Sequence, residues 1–171
     1  NTLATYTTSN STSKTTFNGF YAGIDASYDL GSGVAVVPGV YYGYLTSSDN
    51  FLGIASGKTT DHYIAVPVNF KYGYELTSGL TAFAYAGPQF NFCVASNTET
   101  TVLGSTSTTD NFGKNSSLNR FDIAASAGLG VEIANMVRIQ GGYTYGFLNQ
   151  YNSSDITLKN SGWHIGAAFM F

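Results

Sequence analysis

Hydrophobic and polar residues alternate at every second position along most of the chain. In residues 62–76 the even positions are almost all aliphatic or aromatic, whereas the odd positions include Asn69, Lys71 and Glu75. A repeat of two residues is typical of a β-strand, whose side chains point to opposite faces in turn. Comparable segments lie at 2–8 (with weak contrast), 20–30, 34–44, 80–94, 121–133, 137–148 and 163–171. The pattern therefore predicts about eight strands.

Turn residues separate these segments, and the connections alternate in length. Short connections fall at 31–33, 77–79 and 135–136, and long polar ones at 9–16, 48–61, 97–116 and 151–160. Short turns at one rim and long loops at the other are typical of transmembrane barrels. Pro38 argues against regular pairing at its position in the segment 34–44, because proline has no N–H to donate to a ladder.

Two folds fit the alternation: a soluble sandwich or barrel with the apolar face inside, and a membrane barrel with the apolar face outside. Only 10% of the residues are charged, against roughly 25% in average soluble domains. The polar face is built mainly from Gly, Ala, Ser, Asn, Gln and Tyr, which suits a narrow lumen filled by its own side chains. We therefore predict one domain, 1–171: an all-β, single antiparallel transmembrane β-barrel of about eight strands, with short periplasmic turns and long extracellular loops.

The predicted lumen contains glycines, large aromatic residues and a few charges. Glycines on the polar face would make room for the aromatic side chains there, Tyr21, Tyr41, Tyr63, Phe83 and Tyr85. A buried charge without a partner is costly, so the inward charges are expected to form a hydrogen-bonded cluster that plugs the lumen around Arg138 and Lys71. The predicted cluster consists of Asp25, Asp29, Lys71, Glu75, Asp122, Glu132 and Arg138.

Aromatic residues on the apolar face are concentrated toward the strand ends. Rings of Trp, Tyr and Phe at these positions are typical of the two bilayer interfaces. The predicted membrane-interface aromatics include Tyr28, Tyr72, Tyr74, Trp163, Phe169 and Phe171. This interpretation places the terminal Phe171 at the membrane boundary.

Several segments carry a recognisable family pattern: GFYAGIDASYDL, YIAVPVNFKYGYEL, GLTAFAYAGPQFNF, FDIAASAGLGVEI, GGYTYGF and the aromatic terminal strand. Together they resemble the small outer-membrane β-barrel proteins of Bacteroidetes with PorT-like "outer membrane protein beta-barrel" domains. The resemblance covers about residues 17–171. It implies a location in the bacterial cell outer membrane and a C-terminal strand that the barrel-assembly machinery reads. It implies no reaction.

The charge, the single cysteine and the two histidines each bear on the function classes that are expected. The net charge is −3 and the Lys and Arg residues are dispersed, so a nucleic-acid partner is not expected. The single cysteine, Cys93, forbids an internal disulfide and is expected to pack as a small apolar group. His62 and His164 do not combine with a nucleophile and an acid into a catalytic set. No catalytic residue, metal or cofactor is therefore predicted, and the protein is expected not to be an enzyme.

The predicted function is a structural or surface-interaction role through the extracellular loops. The alternative is a narrow channel for ions or small solutes. The expected partners are outer-membrane lipid and the barrel-assembly machinery, and the barrel is expected to be a monomer. The sequence names no extracellular ligand.

Overall fold

The computed structural model describes the backbone of residues 2–8, 11–51, 55–102, 105–111, 120–147 and 156–171, and the side chains of 15–48, 56–102, 105–111, 120–147 and 160–171. The strands in the described residues are β1 (Thr2–Thr8), β2 (Ser11–Asp25), β3 (Tyr28–Gly31), β4 (Val34–Phe51), β5 (Ala55–Thr77), β6 (Leu80–Val102), β7 (Ser105–Asp110), β8 (Phe121–Ile133), β9 (Val137–Gly146) and β10 (Ile156–Phe169). Within the same residues, no helix has the length and apolar character needed to cross a membrane.

Eight of the described strands close into an antiparallel ring in the order β1, β2, β4, β5, β6, β8, β9, β10, with β10 pairing back onto β1. β3 continues β2 after a bend and pairs with β4, and β7 pairs with the far end of β6. At the seam, β1 pairs with Ile156–Gly162 of β10 and with Ser11–Phe17 of β2. Among the described residues, the remaining part of β10 pairs only with β9, and the remaining part of β2 pairs only with β4. The predicted all-β, antiparallel barrel is confirmed.

The apolar face of the sheet points outward. Phe70, Trp163 and Ile165 are 57%, 69% and 79% exposed, whereas the inward Phe83 and Tyr85 are only 4% and 6% exposed. Such a continuous apolar exterior is unfavourable in water and suits the hydrocarbon of a bilayer. The predicted orientation, with the apolar face toward lipid, is confirmed.

Tight turns join the strands at one end of the barrel, which we call the lower rim; the opposite end is the upper rim. We expect these ends to be the periplasmic and the extracellular side. At the lower rim, Ala134 and Asn135 both have positive φ, 52° and 55°, and Met136 N donates to Ile133 O at 3.0 Å. Two successive positive φ values define the type I′ turn that matches the twist of a hairpin. The short predicted turns are confirmed.

The strands are much longer than the membrane requires. β5 and β6 contain 23 residues each, whereas a tilted strand spans a bilayer with about 9–11. The excess lies toward the upper rim, where the sequence is rich in Thr and Ser. Both faces of these extensions are polar, so they lack an alternating pattern, although β-branched Thr favours strands.

The prediction of long loops is therefore wrong for much of the sequence that was assigned to them. Residues 11–16, 48–51, 55–61, 97–102, 105–110 and 156–160 belong to strands. Residues 9–10, 52–54, 103–104, 112–116 and 151–155 of those loops lie outside the described residues.

The ladders contain several irregularities, and two of them bear on the predictions and on the lumen. Pro38 lies opposite Val68 within β4, but the next two residues of β4 have no partner on β5, which agrees with the irregular pairing predicted there. In β6, His62 lies opposite Ala95 and Tyr63 opposite Cys93, so Val94 between them is an extra residue. This β-bulge exchanges the two faces of β6: even positions face outward below Val94 and inward above it.

Candidate functional site

Two ion pairs cross the lumen near the lower rim. Lys71 Nζ lies 2.7 Å from Glu132 Oε1, and Arg138 Nη2 donates to both carboxylate oxygens of Asp25, at 2.7 and 2.5 Å. Each pair joins strands that are not neighbours in the ring, β5 with β8 and β9 with β2. We call these four residues the floor of the lumen.

Neighbouring side chains hold the floor in place. The Tyr41 hydroxyl donates to Asp25 Oδ2, and Lys71 Nζ lies 5.5 Å from the centre of the Phe83 ring, within the range of a cation–π contact. The four charged side chains are between 6% and 14% exposed. Since desolvated charges are stable only when they are paired, each ion pair depends on both of its members.

Three other charges that the sequence places in this cluster lie elsewhere. Asp29 is exposed at the lower rim, where its Oδ1 accepts a hydrogen bond from Gly31 N at 2.7 Å, because a carboxylate can stabilise the turn that follows it. Glu75 is exposed near the same rim. Asp122 is 3% exposed and lies opposite Asn91, far along β6 from the floor. The seven-residue cluster is thus reduced to four, and its role as a plug stays a proposal.

Glycines give the large aromatic side chains room inside the lumen, as predicted. A Cβ added at Gly43 would lie 2.0 Å from Tyr63 Cζ, and one at Gly166 would lie 2.1 Å from the Tyr21 hydroxyl. Such distances are far below van der Waals contact, so a side chain cannot be added without moving the ring. The same relation holds for Gly130 with Phe83 and for Gly128 and Gly142 with Tyr85.

Above the floor the lumen widens into a cavity of about 250 Å³, which we call the cup. Tyr41 and Tyr85 line the end next to the floor, and Thr59 and Asn111 line the end toward the upper rim. The cup also reaches the seam between β2 and β10, where Phe17 and Trp163 line it. Below it, a space of about 20 Å³ remains between the floor residues.

Neutral polar groups dominate the middle of the cup. The Tyr85 hydroxyl lies 2.7 Å from His164 Nε2, which gives His164 a hydrogen-bonding partner inside the lumen. The carboxamides lining the cup include Asn69, Gln89, Asn91 and Gln140. Gln89 Nε2 donates to Asn91 Oδ1 at 2.7 Å, and Ser126 Oγ donates to Asn69 Oδ1 at 3.0 Å. Many of the groups that line the cup can therefore donate and accept hydrogen bonds without carrying charge.

Asn111 closes a hydrogen-bond network at the upper end of the cup. Its Nδ2 donates to Ser96 Oγ at 2.8 Å and to Thr98 Oγ1 at 2.9 Å, and its backbone N donates to Ser96 O at 2.9 Å. Thr59 joins the network through Thr98, at 3.2 Å between their hydroxyls. These contacts fix the end of β7 against β6 and shape the entrance of the cup.

The predicted membrane-interface aromatics all point outward. Tyr28, Tyr72, Tyr74 and Phe169 are 56–65% exposed and pair with the strand ends next to the lower rim. Phe171 lies beyond the end of β10, and Trp163 lies higher on that strand, with its ring centre 4.9 Å from that of Tyr143. Their role as interface anchors stays a proposal.

A second outward cluster lies toward the upper rim, and the sequence did not predict that its residues meet. His62 Nδ1 lies 2.5 Å from the Tyr42 hydroxyl, and the Tyr44 ring meets His62 edge-on at 5.3 Å and stacks with Phe20 at 5.4 Å. The sequence did indicate that these four residues face outward, since all of them lie on the apolar side of the alternation. Asn111 carried no such signal, because its position depends on the strands around it.

Solved structures similar to this chain are small outer-membrane barrels. Neisserial surface protein A (NspA) is 17% identical, with a TM-score of 0.51 over 99% of this chain and 92% of that chain. Ail, the attachment invasion locus protein of Yersinia pestis, is 15% identical, with a TM-score of 0.48 over 99% and 93%. At these identities the likeness shows the fold alone. No curated protein matches the chain by sequence.

The prediction that the protein is not an enzyme is wrong. The similar solved structures include the outer membrane enzyme PagL, which is 14% identical with a TM-score of 0.46 over 96% of each chain. This likeness assigns no activity to the chain.

The sequence also matches a family model over almost its whole length. The model describes the outer membrane protein beta-barrel domain and matches residues 2–169. The predicted outer-membrane location is confirmed by this match together with the fold. The chain thus belongs to the family of outer membrane protein beta-barrel domains.

Proposed function

We propose that this protein is a surface-interaction protein of the outer membrane that binds an extracellular ligand in the cup and along the strands around its entrance. The observation that carries the proposal is the asymmetry of the lumen. Paired charges fill it near the lower rim, and a cavity of about 250 Å³ extends from there toward the upper rim. Concave cavities with a few convergent polar groups are the usual form of a ligand site.

The alternative function, a narrow channel, requires a continuous path through the floor. Both ion pairs would have to break, and each break would leave partly buried charges without partners. We therefore expect the folded protein to give no steady single-channel current in planar bilayers. Steady currents that Arg138→Ala alters would contradict the closed floor and favour the channel.

The cup can be tested through Cys93, which is the single cysteine of the chain and lines this cavity. A membrane-impermeant thiol reagent added to intact cells should label Cys93, because the cup is reached from outside. The control is Ser78→Cys in a Cys93→Ser background, which places a thiol in a lower-rim turn. This control variant should react only after the cells are lysed. An unreactive Cys93, or labelling of the control variant in intact cells, would refute the proposed cup or its orientation.

Three finer expectations from the sequence belong to this proposal. The segments that resemble PorT-like proteins support a bacteroidete origin. The outward aromatic side chain of Phe169 supports recognition of β10 by the barrel-assembly machinery. Closure of the ring within one chain supports a monomer.

A further inference from the structure

We infer that the cup binds a neutral saccharide, one or two sugar rings that enter from the extracellular side. This inference rests on the proposed function, because it names the ligand class of the same cavity. Three features of the cup lead to it: carboxamides with free hydrogen-bonding groups, aromatic walls, and a small number of charges.

The carboxamides converge from three strands and keep free hydrogen-bonding groups. Asn69 lies on β5, Gln89 and Asn91 on β6, and Gln140 on β9. Within the described residues the hydrogen bonds of these side chains are the Gln89–Asn91 and Ser126–Asn69 contacts. Asn69 Nδ2, Gln89 Oε1, Asn91 Nδ2 and the whole Gln140 amide are left for a ligand. A ligand would thus meet two hydrogen-bond donors, one acceptor and one amide that does both. This set matches the hydroxyls of a sugar, each of which donates and accepts hydrogen bonds.

Aromatic side chains surround these amides. Phe17, Tyr21, Tyr63 and Tyr85 line the same cavity. The hydroxyls of a sugar ring lie mainly around its edge and leave faces of C–H groups, which pack favourably against aromatic carbon. Glycines hold the Tyr63 and Tyr85 rings in narrow slots, so the walls are formed before a ligand arrives, which lowers the entropic cost of binding.

The charges argue for a neutral ligand. Two carboxylates, Asp61 and Asp122, and one guanidinium, Arg120, line the cup. A sulfated or carboxylated sugar would meet more negative than positive groups. An organic cation would have to be held by Asp61 and Asp122, but Asp61 is only partly exposed and Asp122 is 3% exposed.

The test uses the purified barrel in detergent micelles and follows the rate at which N-ethylmaleimide modifies Cys93. Maltose and N,N′-diacetylchitobiose are the neutral probes, glucosamine and glucuronate the charged ones, and glycylglycine represents a peptide. We expect at least one neutral disaccharide to slow the modification several-fold in a saturable manner, and the other compounds to have little effect. In Asn91→Leu and Gln140→Leu the half-protecting concentration should rise roughly tenfold, because a lost hydrogen bond in a buried site has about this effect.

The matched control is Thr81→Val, an inward substitution below the cup that should leave protection unchanged. The inference is overturned if no neutral sugar protects Cys93, if glucosamine, glucuronate or glycylglycine protects it better, or if the amide variants behave as the wild type does. If Cys93 reacts but no sugar protects it, only the ligand class is wrong. If Cys93 does not react at all, the proposed cup falls as well.

Discussion

Inside this narrow barrel, the room for one large side chain is set by a glycine on another strand. The clearest case is Gly142, which faces the lumen between Tyr85 and His164. A Cβ at this position would lie 2.4 Å from the Tyr85 hydroxyl and 2.5 Å from the Ala127 carbonyl oxygen. The adjacent Gly141 faces lipid, and a Cβ there would lie 3.5 Å from its nearest neighbour, an ordinary contact. An added methyl group would therefore clash at Gly142 but make only an ordinary contact at the adjacent Gly141.

We predict that Gly142→Ala lowers the free energy of unfolding by about 1–3 kcal/mol, as overpacking in a tight core does. Gly141→Ala should leave it within about 0.5 kcal/mol of the wild type, the range of surface substitutions. Urea unfolding of the barrel in lipid vesicles measures both. Equal effects of the two substitutions would show that the Tyr85 ring and the Ala127 backbone move freely.

At this scale the alternation of the sequence predicted much of the site. It placed Tyr85, Gly142, Lys71 and Arg138 on the lumen side, because the period of two decides the face of each residue. It did not predict which charges meet, because Asp25 and Arg138 are separated by most of the chain and come together only through closure of the ring. Asp29 was assigned to the same cluster because alternation alone does not reveal its contact with the turn.

Among the elements, the lower-rim turns are tightly built and the upper strands are long. The turn after β8 is packed against the turn after β5, since Ala134 N donates to Gly79 O at 2.6 Å. Ala134 adopts φ of 52° there, a conformation that costs an alanine about 1–2 kcal/mol and an asparagine less. The turn thus contains one favourable residue, Asn135, and one unfavourable residue.

We predict that Ala134→Asn stabilises the barrel by about 0.5–1 kcal/mol, because it removes part of this backbone strain. Asn135→Ala, the matched change at the neighbouring position, should destabilise it by a similar amount. The urea midpoints of the two variants in vesicles should therefore move in opposite directions. A decrease in midpoint for Ala134→Asn would mean that a side chain at this position disturbs the contact with Gly79.

The strand ends show where sequence patterns become uninformative. The segments at 34–44 and 62–76 were predicted because lipid on one side and lumen on the other impose a contrast. Residues 55–61 and 97–102 meet polar surroundings on both sides, so no contrast marks them, and only the pairing of Thr59 with Thr98 and its neighbours makes them strands.

For the molecule as a whole, the four floor residues lie across the lumen below the cup. Their stability follows from pairing across the ring. Glu132→Leu should destabilise the barrel by about 3–5 kcal/mol, because Lys71 would remain buried without its partner. The double variant Lys71→Leu/Glu132→Leu should recover most of this loss, since a buried ion pair can be replaced by apolar groups at little cost.

Unfolding in guanidinium chloride, fitted for all three proteins, tests this comparison. A double variant that is as unstable as Glu132→Leu alone would mean that the ion pair contributes more than mutual neutralisation. If Glu132→Leu has no effect, water must reach Lys71 from the lower rim.

The extra residue at Val94 makes the number of residues in β6 as important as their identity. Below it the even-numbered positions meet lipid, whereas above it Ser96 and Thr98 face inward and bind Asn111. Inserting or deleting a single residue between Cys93 and Asn97 would reverse the two faces of the strand above it and turn the hydroxyls of Ser96 and Thr98 away from the lumen. In this stretch, length variation should therefore be far less acceptable than amino-acid exchange.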